Sequence, residues 1–402
     1  MWSSFKRWFA RGAYPNKGET IPSSPRPPNG FQAPRPDLAG KEPSWIGADD
    51  NAFGVAVLDV RPITLGMLST TRDPTIASNA LSYGGEDGGS FTAQGPALER
   101  RVDADLRFRA PEQLVDGALF VPRAMEDKWA IFVQEGALLL VRSWRRELLL
   151  RAELRVEGAE LHVGRMTGFV SSGEESEEYT RRAVEFILRT HGLEEAWPAP
   201  LHGTREDPPR ALGLQCMSLF GRHAHFASFD LPARRVPSRR LRVVSRLHLA
   251  VMSDDLERAQ RAMADGVGVG LYDPHGFMPI HYVREAGSML DYLLANGADI
   301  DGVTDEGATA LMLATQDRAL TRVSALLELG ASADAVDVRG FSALHRAAEM
   351  GEVPIVKALL DRGADPDRTA AGGESPRGLA ILRGESSVLE VLPPPKSSGT
   401  YR

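Results

Sequence analysis

The sequence predicts a multidomain protein in which an α+β domain with a mainly antiparallel sheet precedes an all-α solenoid of helical repeats. Three observations lead to this prediction. Residues 128–164 contain short apolar runs separated by Gly-containing turns, a pattern typical of antiparallel strands. Glycines recur with a regular period in the last third of the chain. A Pro-rich stretch with almost no aliphatic residues precedes both regions.

The composition is that of an ordinary globular protein. Of the 402 residues, 43% are hydrophobic and 25% are charged, and the length allows two or three domains. The 47 basic and 54 acidic side chains give a net charge of −7, which does not point to nucleic-acid binding. Cys216 is the single cysteine, so no internal disulfide can form, and no apolar run has the roughly 20 residues of a membrane span. We therefore expect a cytoplasmic protein, and the excess of Arg over Lys favours a bacterial source.

Residues 1–48 are predicted to be disordered. Residues 1–14 mix aromatic and basic side chains, namely Trp2, Phe5, Lys6, Arg7, Trp8, Phe9 and Arg11. Such a segment can make peripheral contact with an anionic membrane, but with so few anchors we favour a terminus that folds back on its own protein. Residues 15–48 are Pro-rich and form a linker.

Residues 49–232 are predicted to form the α+β domain, whose role the sequence does not reveal. The predicted strands are Phe53–Val60, Lys128–Gln134, Leu138–Trp144, Glu147–Leu154, Leu161–Gly164 and one or two within Leu212–Phe229. Residues 82–95 are Gly-rich and are predicted to be an exposed loop. Residues 174–191 are predicted to be a helix, because Tyr179, Ala183 and Ile187 share an apolar stripe. The acidic start of this helix, which includes Glu175, is predicted to be solvated.

Patterns of catalytic residues are scarce in this domain. His223 and His225 fall on one face of a predicted strand and could share a metal, with His202 and Cys216 upstream, but the spacing matches no compact zinc site. The Gly84–Gly89 loop lacks the Gly-Lys-Ser/Thr of a phosphate-binding loop. We therefore predict no catalytic residue, no metal and no cofactor. The alternative is that residues 49–232 are an enzyme or effector whose targets the repeats select.

The repeats are marked by glycines in two registers. The first register holds Gly276, Gly307, Gly340 and Gly373, and the second holds Gly297, Gly330 and Gly363. Both recur with a period of about 33 residues, and the interval after Gly276 is slightly shorter. Three copies carry an aliphatic-His pair at the same place, namely Leu247-His248, Ile280-His281 and Leu344-His345. The best copy spans residues 340–367, and because one such unit cannot bury its own apolar face, stacked neighbours are expected.

This pattern resembles the ankyrin repeat family, whose units begin Gly-x-Thr-Pro-Leu-His-x-Ala and end Leu-Leu-x-x-Gly-Ala-Asp. The resemblance covers residues 245–392 and implies about five repeats with degenerate first and last copies. It also implies that the histidines are structural and join neighbouring repeats. The copy that begins at Gly276 is two residues short, so we expect a trimmed loop between its helices. Residues 233–244 remain as a basic linker and residues 393–402 as a disordered tail.

The resemblance further implies interaction with another protein through the concave face, where the hairpin tips and the exposed edge of the inner helices lie. By register these positions are His275, Phe277, Glu285, Asp305, Glu306, Gln316, Asp317, Val338, Arg339, Phe341, Glu349 and Met350. Phe277 and Phe341 are either exposed apolar anchors or packed on an adjacent tip. The partner is not identified by the sequence.

The basic linker is the part of the chain that most resembles a nucleic-acid contact. It contains Arg234, Arg235, Arg239, Arg240 and Arg242 and no acidic residue. Residues 245–392 contain 23 acidic and 13 basic side chains, so they offer an acidic surface within the same chain. We favour a contact with these repeats over nucleic acid, because a short basic stretch without an element that contacts base edges gives little specificity.

Overall fold

The computed structural model describes residues 38, 40–66, 73–79, 82–96, 99–233, 237 and 239–394. The chain divides into two compact units, with the boundary between Val243 and Val244. The predictions for residues 1–14, for the Pro-rich linker up to residue 37, for Arg234 and Arg235, and for tail residues 395–402 lie outside the described residues. Among the helices that the structure describes, none is long and apolar enough to cross a membrane.

The described part of the first unit contains two sheets. Its described strands are β1 (Ser44–Ile46), β2 (Val57–Asp59), β3 (Arg101–Val102), β4 (Leu106–Arg109), β5 (Gly117–Phe120), β6 (Trp129–Gln134), β7 (Ala137–Arg142), β8 (Glu147–Glu157), β9 (Glu160–Gly168), β10 (Ala199–Pro200) and β11 (Phe226–Ser228). Within this unit the larger sheet has the order β5-β6-β7-β8-β9-β3, β4 also pairs with β9, and every pair is antiparallel. The smaller sheet has the order β1-β2-β11-β10, and its β10–β11 pair is parallel.

The predicted antiparallel meander is confirmed by β6 to β9, which are consecutive in sequence and adjacent in the sheet. The prediction that residues 82–95 form an exposed loop is wrong in part, because Tyr83 and Phe91 are buried. Their rings stack on Phe132 of β6, with centroids 6.3 and 5.5 Å away, and so help to bury it. All six residues of β6 are buried. Gly88 permits this approach, since a Cβ there would lie 2.5 Å from Cβ of Phe132.

The first unit also contains the described helices α1 (Arg61–Thr64), α2 (Pro74–Asn79), α3 (Glu177–Ile187) and α4 (Pro209–Phe220). The prediction of a helix at residues 174–191 is confirmed by α3, which continues as a π-helix over Leu188–Gly192. The prediction that Glu175 is solvated is wrong. Its carboxylate is buried and accepts the N–H groups of Val170 and Gly173 at 2.8 and 2.7 Å, which replace the hydrogen bonds of water.

The strand prediction for residues 212–229 is mostly wrong. These residues form α4, a 3-10 helix (Gly221–His223) and the short strand β11. Leu212, Cys216 and Phe220 are four residues apart and all buried, which is the period of a helix. The predicted strand at residues 53–60 shortens to β2. The residues just before β2 form a turn, in which the Asn51 side chain donates to the carbonyl of Val55 at 2.8 Å.

The described arginines of the basic linker bond to groups of the first unit. Arg239 and Arg240 donate to main-chain carbonyls at 3.1 and 3.0 Å. Arg242 forms an ion pair with Glu112 at 2.8 Å. This part of the linker therefore belongs to the packed structure of the first unit, and the expected contact with the acidic repeats stays a prediction.

The described residues of the second unit form five successive helix pairs. After the short strand β12 (Val244–Ser245) come α5 (Arg246–Met252), α6 (Leu256–Ala264), a 3-10 helix (Pro279–Tyr282), α7 (Ser288–Ala295), α8 (Ala310–Gln316), α9 (Leu320–Glu328), α10 (Ala343–Glu349), α11 (Val353–Asp361), α12 (Pro376–Arg383) and α13 (Ser386–Val391). The first member of each pair, called the inner helix, contacts the inner helix of the next pair. Neighbouring pairs thereby bury the apolar face that a single pair would expose.

The second pair is shortened in an unexpected place. The prediction of a trimmed loop is wrong, because its inner element is a 3-10 helix of four residues where α10 of the fourth pair has seven. Residues 283–287 then reach α7 without further helix. Arg322 of α9 replaces part of the missing turn, because one guanidinium nitrogen donates to the carbonyl of Val283 at 2.8 Å. A second guanidinium nitrogen forms an ion pair with Asp317.

Candidate protein-binding surface

A tight hairpin turn precedes the inner helix in the second to fifth pairs. Each turn contains one glycine of the first register, and the residue three positions before that glycine donates its N–H group to the carbonyl of the residue just after it, at 2.8–2.9 Å. The four bonds run from Asp273 to Phe277, from Thr304 to Ala308, from Asp337 to Phe341 and from Ala370 to Glu374. The glycine must be left-handed to close the turn, as at Gly307 with φ of 79°. A Cβ at Gly307 would also lie 2.8 Å from the backbone nitrogen of Val338 in the next turn.

Successive hairpin tips are joined by main-chain hydrogen bonds. Asp305 donates to Gly276 at 3.1 Å, Val338 to Glu306 at 3.1 Å, and Ala371 to Arg339 at 2.9 Å. These three bonds form what we call the tip ladder. The ladder holds the side chains of neighbouring tips at fixed spacing along one edge of the unit.

Buried polar side chains hold three of the four hairpins from inside. Asp273 and Asp337 each accept two backbone N–H groups of their own turn through Oδ1. The second carboxylate oxygen, Oδ2, accepts a hydrogen bond from a side chain of the inner element that follows. Tyr282 supplies that bond to Asp273 at 2.5 Å, and Arg346 supplies it to Asp337 at 2.8 Å. In the hairpin of the third pair, Thr304 occupies the position of these aspartates and has a single side-chain oxygen. The residue of α8 at the position of Tyr282 and Arg346 is a leucine, which cannot donate a hydrogen bond.

Three buried histidines, in the inner elements of the first, second and fourth pairs, each bond to a carbonyl of the segment that follows. His248, His281 and His345 place Nε2 at 3.1, 2.8 and 3.2 Å from the carbonyls of Phe277, Gly302 and Glu374. A carbonyl only accepts, so Nε2 carries the proton. Nδ1 of each ring accepts a backbone N–H group, from Ser245, Met278 and Ser342, so the rings are neutral. Burial lowers the pKa of all three, and that of His281 falls to about 4. The prediction that these histidines are structural agrees with this geometry.

The comparison with protein families decides what these pairs are. The family model described as ankyrin repeats (3 copies) matches residues 247–337 and, overlapping them, residues 288–370. The second unit carries ankyrin repeats. No family model matches the first unit, and the chain matches no curated protein.

The ankyrin unit exposes most of the predicted binding positions. Seven are exposed, namely His275, Glu285, Asp305, Glu306, Asp317, Val338 and Arg339, and four are half-buried, namely Gln316, Phe341, Glu349 and Met350. Phe277 is not an exposed anchor, since 6% of its surface is accessible. Its ring packs against Tyr282 with centroids 5.6 Å apart, within its own repeat. The half-buried ring of Phe341 lies 5.4 Å from His345.

Two exposed valines of the ankyrin unit were missed by the sequence analysis. Val303 and Val336 lie four residues before Gly307 and Gly340 and are 40% and 38% exposed. Val338 of the tip ladder is 74% exposed and lies two residues after Val336. The predicted positions began two residues before Gly307 and Gly340, so the residues that lead into each hairpin were left out. The recurrence of valine at positions 303 and 336, one repeat apart, is the signal that could have found them.

The candidate metal ligands of the first unit lie apart. Cys216 is buried in α4, His223 lies in the 3-10 helix beside Asp127, and His225 is exposed, so the predicted shared strand face does not form. His202 stacks on Tyr179 with ring centroids 3.6 Å apart. Among the described residues, no group of three or more His, Cys, Asp or Glu side chains could hold a metal ion.

Proposed function

We propose that the ankyrin unit is a rigid solenoid that binds another protein through its concave face, with the tip ladder at the centre of the contact. The observation that supports this most is the set of exposed valines, Val303, Val336 and Val338, on a hydrogen-bonded main chain. Apolar side chains that are exposed on a rigid frame lose little conformational freedom on binding and gain from being covered.

The charge around the valines favours a partner with basic groups. Asp305 and Glu306 are exposed on the same tip, next to the ladder bond from Val338. Residues 245–392 carry 23 acidic against 13 basic side chains. We therefore propose a partner surface that presents apolar side chains flanked by Lys or Arg, because complementary potentials speed association and exclude acidic competitors.

The proposal is tested by capture of partners on the full-length chain, followed by affinity measurement with the purified partner. Val338→Asp should weaken the affinity at least about tenfold, since it places a charge in the buried centre of the contact. Leu329→Asp is the matched control, because Leu329 is 45% exposed at the end of α9 and away from the hairpins. Equal affinities of the two variants with both folds intact would contradict the proposal.

We also propose that the first unit has no enzymatic role. Some of its polar side chains hold main chain: the half-buried Arg182, for example, donates to the carbonyls of Ser228 and Phe229 at 2.9 and 2.7 Å. The alternative, an enzyme or effector in residues 49–232, predicts polar residues in one cleft that are invariant among homologues. Invariance limited to buried apolar positions would support the non-enzymatic role.

A further inference from the structure

A cluster of charged and titratable groups ties together four segments of the first unit. Asp127 is fully buried, and its carboxylate accepts two bonds from Arg222 at 2.6 and 2.8 Å and one from His223 Nε2 at 3.1 Å. Two backbone N–H groups, of Arg123 and Ala124, also donate to this carboxylate at 2.8 and 3.1 Å. Asp127 therefore has no oxygen left over for a further cation.

His191 closes this cluster from the side of the π-helix. Its ring stacks on that of His223 with centroids 3.9 Å apart, and both rings meet the edge or face of Phe120 of β5, at 4.8 and 5.1 Å. His191 is 4% exposed. The stack thus joins the π-helix, the 3-10 helix at residues 221–223 and the end of β5.

The hydrogen bonds around Thr190 fix the tautomer of His191. The Thr190 hydroxyl has one proton and donates it to the carbonyl of Phe186 at 2.8 Å. The same hydroxyl lies 2.9 Å from Nδ1 of His191, so it must accept there and Nδ1 must carry the proton. Nε2 of His191 is therefore a bare acceptor, and it is buried with no hydrogen-bond partner among the described residues.

We propose that the His191–His223 stack is an acid-operated switch that keeps the first unit closed while His191 is neutral and opens it when Nε2 takes a proton. The groups that face His191 are His223, Arg222 and Asp127, and the carboxylate of Asp127 is already saturated. A proton on His191 would thus place a positive ring against the ring of His223 and near Arg222, without a free acceptor. Opening separates the π-helix from the 3-10 helix and uncovers Phe120.

The direction of the pH dependence follows from the burial. Burial lowers the pKa of His191 well below its usual value, and His223 lowers it further. Since the closed form binds the proton less tightly than the open form, the closed form is favoured above pH about 6.5 and loses stability as the pH falls below that value. Uptake of one proton on opening raises the opening constant about tenfold between pH 7.5 and 5.5.

Amide hydrogen exchange on the full-length chain tests the switch. Protection factors of residues 188–193 and 221–228 should fall about tenfold from pH 7.5 to 5.5, while those of β7 in the same unit should change less than about twofold. In His191→Phe, which keeps a ring in the stack but cannot titrate, the fall should vanish. His225→Phe, at an exposed histidine outside the stack, should behave as the wild type.

A fall that persists in His191→Phe, or equal protection at both pH values in the wild type, would overturn the proposal. A second measurement needs no variant. In a long-range ¹H–¹⁵N spectrum of the wild type at pH 7.5, Nδ1 of His191 should be protonated and Nε2 should not. The opposite tautomer would also overturn it, because the bare buried acceptor would then not exist.

Discussion

The second and fourth ankyrin repeats share the same hairpin and the same histidine but differ in the inner element. His345 lies in a seven-residue helix, whereas His281 lies in a 3-10 helix of four residues. Both rings still bond to a carbonyl of the segment that follows, at 3.2 Å for His345 and 2.8 Å for His281. The hairpin and its histidine therefore preserve the register of the repeat even when the inner helix is cut short.

The difference between these repeats lies in how the main chain is satisfied. In α10 the backbone carbonyls accept hydrogen bonds from N–H groups of the same helix. The carbonyls of Val283 and Arg284 follow the 3-10 helix and have no further helical turn to supply such N–H groups. Arg322 donates to both, at 2.8 and 3.4 Å. A side chain from the neighbouring repeat thus replaces a turn of helix.

Removing this side chain should have the largest effect. Arg322→Met leaves the buried carbonyl of Val283 without this donor and should lower the free energy of unfolding by about 3 kcal/mol. The measurement is urea unfolding of the full-length chain. Arg318→Met is the control, because Arg318 is 61% exposed in its ion pair with Glu352 and should cost no more than about 0.5 kcal/mol. Equal costs for the two variants would mean that Arg322 does not support the shortened repeat.

Acid should weaken the shortened repeat next. Burial lowers the folded-state pKa of His281 to about 4, below its unfolded value, so the stability it contributes is present above pH 6.5 and is lost as the pH falls toward 4. At pH 5 this loss is about 2 kcal/mol. Amide exchange of residues 279–293 in the wild type and in His281→Gln measures it, since glutamine can donate to Gly302 without titrating. The same loss in both proteins would assign it to other groups.

A smaller effect is expected at the fourth repeat. His345→Met removes the bonds to Ser342 and Glu374 and should cost about 1 kcal/mol, because Glu374 is exposed and water can replace one partner. Methionine occupies the same position in the third repeat at Met312, so the fold should survive. Thermal unfolding measures the change. Loss of the folded state would show that the histidine is indispensable in a full-length repeat.

The smallest effect on stability is expected at the tip ladder. Val338→Thr keeps a β-branched side chain of the same shape at a site that is 74% exposed, so the free energy of unfolding should change by less than about 0.5 kcal/mol. The bond that Val338 gives to Glu306 comes from the main chain and is unaffected. A larger loss in urea unfolding would show that Val338 packs within the unit and is not free to bind.

The sequence predicts the hairpins well because their requirement is local. A left-handed residue is needed at Gly276, Gly307, Gly340 and Gly373, and glycine meets it at each place. The shortened inner helix could not be placed, since a count of residues does not say whether a loop or a turn of helix is lost, and Arg322 lies far from Val283 in sequence. The cluster around Asp127 could not be predicted either, because its members come from separate segments that only the tertiary fold brings together.

The hydrogen bonds that align the hairpin tips join main-chain atoms, so they do not depend on the identity of the exposed side chains. Substitutions at positions 303, 336 and 338 can therefore accumulate without disturbing the frame beneath. A lineage could retarget this surface one side chain at a time, and each intermediate would remain a folded protein.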